Sequence, residues 1–586
     1  MSSKRQDPGS PRLWPAIALL ILLWVLRWIP GLVEEPTPAV YMLGFLGPAA
    51  CALLILGWWT FASRLRWRER LLGLVGLVLI LAVTAILSDE SIRGFGTVGS
   101  AVPWGISAFV IGFLGARALR RRRRTAIALL AALLVFGYWA SVRSEGLWGD
   151  FRTDLHWRWE KAPEERILSD LEQRTGSAAG EAPGPEPLAA AEWPGFRGPG
   201  RDGVVPGVAL AEDWTVDPPR ELWRIRVGPG WSSFAVAAVR PSGVRPPGRW
   251  LFTQEQRGDN EAVVSYDAET GAELWATEYR SRFWESMGGV GPRATPTLSD
   301  GRLFTLGAEG LLHRLEPATG DVVWQADLRS DAGREPPTWG FASSPLVVDS
   351  RVIVHAGGDG DRGILAYDAE SGELVWGTPA GGHSYSSPQL STVAGALSVP
   401  VVTDAGLTLV DPAGGAVLWQ YEWPFENYRI LQPLLVSDTS LLISTGFGVG
   451  TRRLDLRRED GRLTARERWT SRAMKPDFND YVAHQGYLYG FDVSIFACVD
   501  LETGERRWKR GRYGHGQVLL LPDADQLLVI AESGELVLLR ADPEELNELA
   551  RIEVFDGKTW NHPVLVGDRL YLRNAEEAVG LAVPVG

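Results

Sequence analysis

Asp267-Ala-Glu-Thr-Gly271-Ala-Glu-Leu-Trp275 is a nine-residue phrase that the chain repeats. An acidic residue, Gly four places on and Trp four beyond recur as Glu316, Gly320 and Trp324; Asp368, Gly372 and Trp376; Asp411, Gly415 and Trp419; and Asp500, Gly504 and Trp508. Apolar or alternating runs precede the acidic residue (Ala262 to Tyr266, Gly363 to Tyr367) and resume after the Gly. The phrase therefore reads strand, tight turn, strand. Gly supplies positive φ at the turn, and the carboxylate can accept from nearby backbone amides. The Trp falls at one place on every outer strand, where its ring can cover the adjoining sheet and its indole N–H can reach a backbone acceptor.

Degenerate copies lie at Glu221-Leu-Trp223, at Gly461 to Trp469, and at Asp542 to Arg551, where Arg replaces the Trp. Successive Trp positions, with Arg551 as the last, are 52, 49, 52, 43, 50, 39 and 43 residues apart. Periods of roughly 40 to 50 residues with about four short strands each define a propeller. The C-terminal unit supplies three strands (His562 to Val566, Arg569 to Arg573, Ala578 to Val583) and lacks its outermost, while Glu221 to Val227 is a lone outer strand. Pairing them in one blade closes an eight-bladed ring and removes an open edge.

Apolar residues crowd the first quarter of the 586-residue chain. Five stretches (14–33, 39–62, 71–87, 101–119 and 125–142) are each long enough to cross a bilayer as a helix. Lys4, Arg5 and Arg12 precede the first, which reads as an anchor rather than a cleaved signal because a second span follows directly. Loops alternate in charge: acidic at Glu34 and Glu35, basic at Arg64, Arg66, Arg68 and Arg70, mixed from Asp89 to Arg93, very basic from Arg117 to Arg124. The positive-inside rule then puts the N-terminus in the cytoplasm and the chain after the fifth span outside. The expected location is the bacterial inner membrane, multi-pass, with the propeller in the periplasm. Arg120 to Arg124, lying between two spans, reads as a topology determinant that also meets anionic headgroups. No span holds Asp, Glu or His at its middle, so ion transport has no support.

Up to Glu145 the chain carries sixteen Lys and Arg against seven Asp and Glu; since the whole chain is at −12, the remainder stands at −21. An outer domain that acidic argues against nucleic acid as a partner. Two cysteines, Cys51 and Cys498, lie in different regions and imply neither a disulfide framework nor a Cys-rich metal site. The expected organisation is a transmembrane anchor over 1–143, a juxtamembrane segment and linker over 144–191, and a propeller over 192–586. In the linker, Pro163 to Leu171 reads as a short amphipathic helix and Gly176 to Ala191 as a flexible spacer. Trp193 to Gly203 is a dense turn cluster expected to pack across the start of the repeats; no Lys-Ser/Thr ends it as a phosphate loop would require.

The repeated phrase resembles the tryptophan-docking motif of the pyrroloquinoline quinone (PQQ) repeat propellers, over roughly 193 to 586. Two branches of that family are relevant. One holds quinoprotein alcohol and glucose dehydrogenases, and five spans before a propeller resemble membrane-bound quinoprotein glucose dehydrogenase. The other holds noncatalytic propellers similar to the outer-membrane assembly lipoprotein, which the propeller's size resembles. The chain departs from the first in lacking an adjacent Cys pair and from the second in lacking a lipobox Cys.

Segments leading from one blade's outer strand to the next blade's inner strand open on one mouth of the channel, and there the unusual residues gather. If the resemblance extends to PQQ, Trp231, Trp339 or Trp560 would stack on the quinone and Arg293 or Arg429 would polarise it. Asn479 or Asn561 with Glu285 would ligate calcium, and Asp480, with Glu285 as the second carboxylate, would be the catalytic base. His515, between two glycines, and Gln517 line the same mouth. The residue types equally suit polar groups bonded to one another. The expectation is thus a membrane-anchored binding platform for an envelope protein or small ligand, with no cofactor. The alternative is a PQQ- and calcium-dependent alcohol or sugar dehydrogenase feeding the membrane quinone pool.

Overall fold

A computed structural model describes residues 12–33, 38–94, 96–176, 188–239, 248–459 and 462–586. Lys4, Arg5, Glu34, Glu35 and most of the expected spacer lie outside them. Two compact units result: 1–147 with 152–160, and 148–151 with 161–586.

The first unit holds α1 (Trp14–Leu32), α2 (Pro38–Gly57), α3 (Trp67–Leu87), α4 (Val102–Gly115) and α5 (Arg121–Ser141). Five helical segments among the described residues are long and apolar enough to cross a membrane. Glycines let rings reach neighbouring backbones: a Cβ on Gly73 would lie 2.5 Å from Trp59, and one on Gly105 2.2 Å from Phe136. Trp59 stands edge-on to Phe109 and Phe113, and the Trp24 indole donates to Ser107 Oγ at 3.1 Å. Outward positions such as Leu53 and Leu134 stay exposed, as a helix facing hydrocarbon requires. After α5, Val142–Leu147 pairs with Thr153–Trp157 where the sequence suggested linker.

The second unit is the propeller, preceded by α6 (Pro163–Gly176), five residues longer than expected. Among the described residues eight antiparallel sheets form its blades. Blade 1 runs Ala235–Val239, Arg249–Arg257, Asn260–Asp267, Glu273–Arg280. Leu188–Trp193 adds a fifth strand beside Ala235–Val239, so the propeller takes in residues assigned to the linker. Blades 2 to 7 follow in order, starting at Thr297, Leu346, Ser391, Leu434, Tyr481 and Gln517. Blade 8 pairs Val564–Val566, Arg569–Arg573 and Glu577–Ala582 with Arg220–Arg226, whose partners run from Glu577↔Arg226 to Ala582↔Arg220. That is the expected closure.

The repeated phrase is the joint between blades. Gly271, Gly320, Gly372, Gly415 and Gly504 all have φ between 72° and 78°. Each also serves as the floor for the preceding blade's indole: a Cβ on Gly372 would lie 2.7 Å from Trp324, and one on Gly320 2.5 Å from Trp275. Trp223, Trp275, Trp324, Trp469 and Trp508 donate to carbonyls of the next blade (Ala268, Pro317, Ala369, Leu501 and Asp542) at 2.8 to 3.2 Å. Trp376 breaks the pattern; its indole N–H is buried without an acceptor. Asp267 Oδ1 accepts from Glu269 N and Thr270 N, and Asp368 and Asp500 do the same in their turns. Glycine is thus required twice over, by conformation and by contact.

Candidate functional site: a plugged channel and its aromatic mouth

Trp193 to Val205 crosses the propeller axis. Pro194 O accepts from Leu298 N in blade 2, and Arg201 donates to Ser344 O and Pro345 O, both at 3.0 Å, at the start of blade 3. On the opposite side of the ring, Arg197 donates to Tyr481 O in blade 6, and Gly203 and Val205 bond Leu520 in blade 7. A segment tied to inner strands on both sides must fill the channel between them. Its charges are buried, and Arg201, spending its donors on carbonyls, is brought down to about 10 by burial.

Asp480 is part of this plug. Arg197 Nε lies 3.0 Å and His562 Nε2 3.1 Å from Asp480 Oδ2, with all three side chains almost wholly buried. None of the three atoms is aligned for a hydrogen bond, and the Arg197 contact is an ion pair. Burial would raise the carboxyl, but Arg197, and then His562, outweigh it and hold it below the usual range. A carboxylate held ionised by a fixed guanidinium is a weak proton acceptor. The structure places Asp480, suggested as a base, in this buried contact with the plug.

Above the plug, most polar side chains of the mouth are bonded to the backbone or to one another. Arg293 Nη2 meets Glu285 Oε1 at 2.8 Å, and Glu285 also accepts from Met287 N and Gly288 N. Arg293 lies over Phe283, and burial lowers its pKa despite Glu285. Trp231 donates to Gly288 O at 2.7 Å. Its ring centroid is 4.7 Å from that of Trp560, and the Lys558 ammonium sits over both rings. Asn479 accepts from Asp477 N and donates to Val493 O. Asn561 donates to Gly230 O and Ser232 O, leaving its buried Oδ1 unpartnered. Gln517 donates to Phe478 O and Trp560 O. Arg429 is fully buried against Trp423, donates to Trp423 O and Thr403 O, and is brought down to about 10 by burial.

Trp339, half-buried, belongs to an aromatic patch. Its ring lies 4.1 Å from Tyr428 and 5.2 Å from Tyr385, with His383 and Phe447 against the same tyrosines. Its backbone N–H donates to Tyr385 Oη, and its buried indole N–H has no acceptor.

At the far side of the mouth, His515 stacks on Phe478 (centroids 5.0 Å, 22°) and Nε2 lies 3.0 Å from Asp477 Oδ2. Glu532 Oε2 accepts from His515 N, and Oε1 from the Trp560 indole at 2.8 Å. Burial pulls the imidazole down, but the Asp477 hydrogen bond and the charges of Asp477, Glu532 and Asp150 prevail and raise it. Gly514, at φ 64°, leaves the room Glu532 needs: a Cβ there would lie 2.4 Å from Oε2. Sequence reasoning singled out His515 but missed Glu532, Tyr428 and Lys558. Glu532 sits in an ordinary hairpin turn, and nothing in its spacing marks it.

The residues do not fit PQQ with calcium. The groups suggested as ligands, Glu285, Asn479 and Asn561, supply four side-chain oxygens, three of which already accept protein N–H groups, where calcium takes six or more. Among the described residues no group of three or more His, Cys, Asp or Glu is placed to hold a metal. The facing sides of Trp231 and Trp560 are taken by each other and by Lys558.

Residues 259–510 match the family model described as outer membrane protein assembly factor BamB. Among curated proteins, the chain is 27% identical over 170 residues to quinohemoprotein alcohol dehydrogenase ADH-IIG of Pseudomonas putida, covering 28% of this chain and 22% of that protein. It is 26% identical over 188 residues to BamB of Shewanella oneidensis, covering 30% of this chain and 45% of that one. The match spans less than half the length of either relative. Solved structures include BamB from Moraxella catarrhalis (16% identity, 62% of this chain and 99% of that one, TM-score 0.44) and ADHIIG from Pseudomonas putida HK5 (12%, 67% and 80%, 0.46). The propeller's repeats are similar to those of the PQQ-repeat class. Within that class it is related both to BamB assembly factors and to quinoprotein dehydrogenases.

Proposed function

We propose that this is a membrane-anchored protein whose extracytoplasmic propeller acts through its mouth as a platform for a protein or small-molecule ligand. The observation that carries the reading is the chemistry of the mouth: its ions and amides are largely spent on one another, while Trp231, Trp339, Tyr428 and Trp560 remain partly open around them. Rigid aromatic side chains over a satisfied polar network favour recognition by contact. The basic loops between the spans support a cytoplasmic N-terminus in a bacterial inner membrane and a periplasmic propeller. The dehydrogenase reading has the Pseudomonas putida match in its favour. The bonded state of Glu285, Asn479 and Asp480 stands against it.

Photocrosslinking in cells tests the platform. A photoreactive residue at Trp284, exposed on the loop that carries Glu285, is compared with one at Val323, exposed on the outer strand of blade 2. The reading expects adducts from position 284 and none from 323. Equal labelling, or labelling from 323 alone, overturns it.

A further inference from the structure

Trp148 to Phe151 packs as part of the propeller unit, apart in sequence from the rest of it. Phe151 N donates to Trp148 O at 2.8 Å, which closes a four-residue turn with Gly149 and Asp150 at its corners. Gly149 N donates to Glu532 Oε1 at 2.6 Å, the same oxygen that holds the Trp560 indole. Gly149 packs against the Nδ1 side of the His515 ring: a Cβ would come within 1.8 Å of Nδ1 and 2.4 Å of Cγ. His515 Nδ1 is buried without a hydrogen bond, 3.9 Å from Glu532 Oε2, and Asp150 is near enough for its charge to act on the imidazole.

This corner is a built receptor for one kind of backbone. Glu532 presents an acceptor to an amide, the imidazole floor admits only a residue without a side chain, and the His515 ring attracts the carboxylate that follows. Gly514 and Gly446 shape it from below, since a Cβ on Gly446 would lie 1.6 Å from Asp477 Oδ1. Such demands are those of sequence-selective loop recognition, in which a missing side chain is read as strictly as a present one.

We infer that the His515–Glu532 corner is a peptide-binding site that Trp148–Phe151 occupies in cis, and that its partner in trans is a protein loop of the same chemistry, a Gly followed by an acidic residue in a tight turn. The inference rests on the reading of the mouth as a binding platform and names the class of ligand for one part of it. The turn competes as part of the same chain, so an incoming loop gains access only as the turn leaves.

The test uses the full chain in detergent or nanodiscs and a labelled peptide spanning Leu147 to Arg152, with a control peptide carrying Val for Gly149. Gly149→Val in the protein expels its own turn, read as faster amide exchange over Trp148–Phe151; replacing Trp148–Phe151 by Gly and Ser is the second variant should the first misfold. Saturable binding to either emptied variant, at least about tenfold tighter than to the unaltered chain, with no binding of the control peptide and loss with Glu532→Gln, is the expected result. No binding to an emptied and folded variant, equal binding to both proteins, or unchanged exchange in Gly149→Val overturns it. Crosslinking from position 284 alongside a failed peptide titration would leave the platform standing and remove this site alone.

Discussion

Arg197 Nε stands 3.0 Å from Asp480 Oδ2 inside the propeller, an ion pair between the segment after Trp193 and the residue just before the inner strand of the sixth blade. It turns the sequence's best base candidate into a clasp. The pair ties the plug to the sixth blade from within the channel.

Asp480→Asn therefore acts on stability. Removing one partner leaves Arg197 buried and uncompensated, at a cost of about 3–5 kcal/mol. The expected result is a lower thermal midpoint for the propeller in near-UV circular dichroism. Arg197→Met combined with Asp480→Leu should recover much of the loss, because the stranded charge is gone.

The joint between blades is tested by two glycines of similar conformation. Gly372→Ala adds left-handed strain and a Cβ 2.7 Å from Trp324, whereas Gly301, at φ 72°, has nothing within 4 Å of a Cβ. Gly301→Ala should cost about 1 kcal/mol and Gly372→Ala about 2–4 kcal/mol, read as denaturant midpoints. Equal costs would mean that the indole can move aside.

Acid should destabilise the propeller through two histidines. Burial brings His313, bonded to Gln325, and His355, bonded to Gly381 O, down to about 4 from 6.5. Between pH 6.5 and about 4 the unfolded chain binds protons that the folded chain refuses. Stability is full above 6.5 and falls with pH through that window, by up to about 3 kcal/mol for each histidine. His515 has the opposite sign: its pKa is raised, so its contribution is present below 6.5 and lost as pH climbs through the folded value. His355→Gln should flatten the acid limb of a stability–pH profile.

Cys498 lies buried in blade 6, its thiol pushed up to about 12 mainly by burial. A thiol reagent at pH 8 should leave it unmodified in the folded protein and label it at the rate of unfolding. Prompt labelling would show that blade 6 opens locally.

Blade count, ring closure and the spans were legible because each is enforced many times over. The joint needs Gly271 and Trp223, then Gly320 and Trp275, in one geometry, so spacing survives where strand sequence drifts. The plug and the mouth are made once. Gly149 and Glu532 are 383 residues apart and Arg197 and Asp480 nearly as remote, and a single contact between distant loops leaves no period to read. The surroundings of Asp480 were illegible for a related reason: a carboxylate in a mouth loop looks alike whether it faces a substrate or a buried guanidinium. The linker was read as ending at Ala191 because Leu188-Ala-Ala-Ala191 carries spacer composition, yet backbone pairing with Ala235–Val239 suffices to make it a strand.

The central claim is that the mouth's polar groups are spent on each other and leave no cradle for a quinone. Titration of the full-length protein with PQQ and calcium, followed by tryptophan fluorescence and the absorbance of the quinone, tests it most directly. No saturable change is expected, with Trp231 and Trp560 emission unaltered. Saturable one-to-one binding that requires calcium and is lost with Glu285→Gln would contradict it.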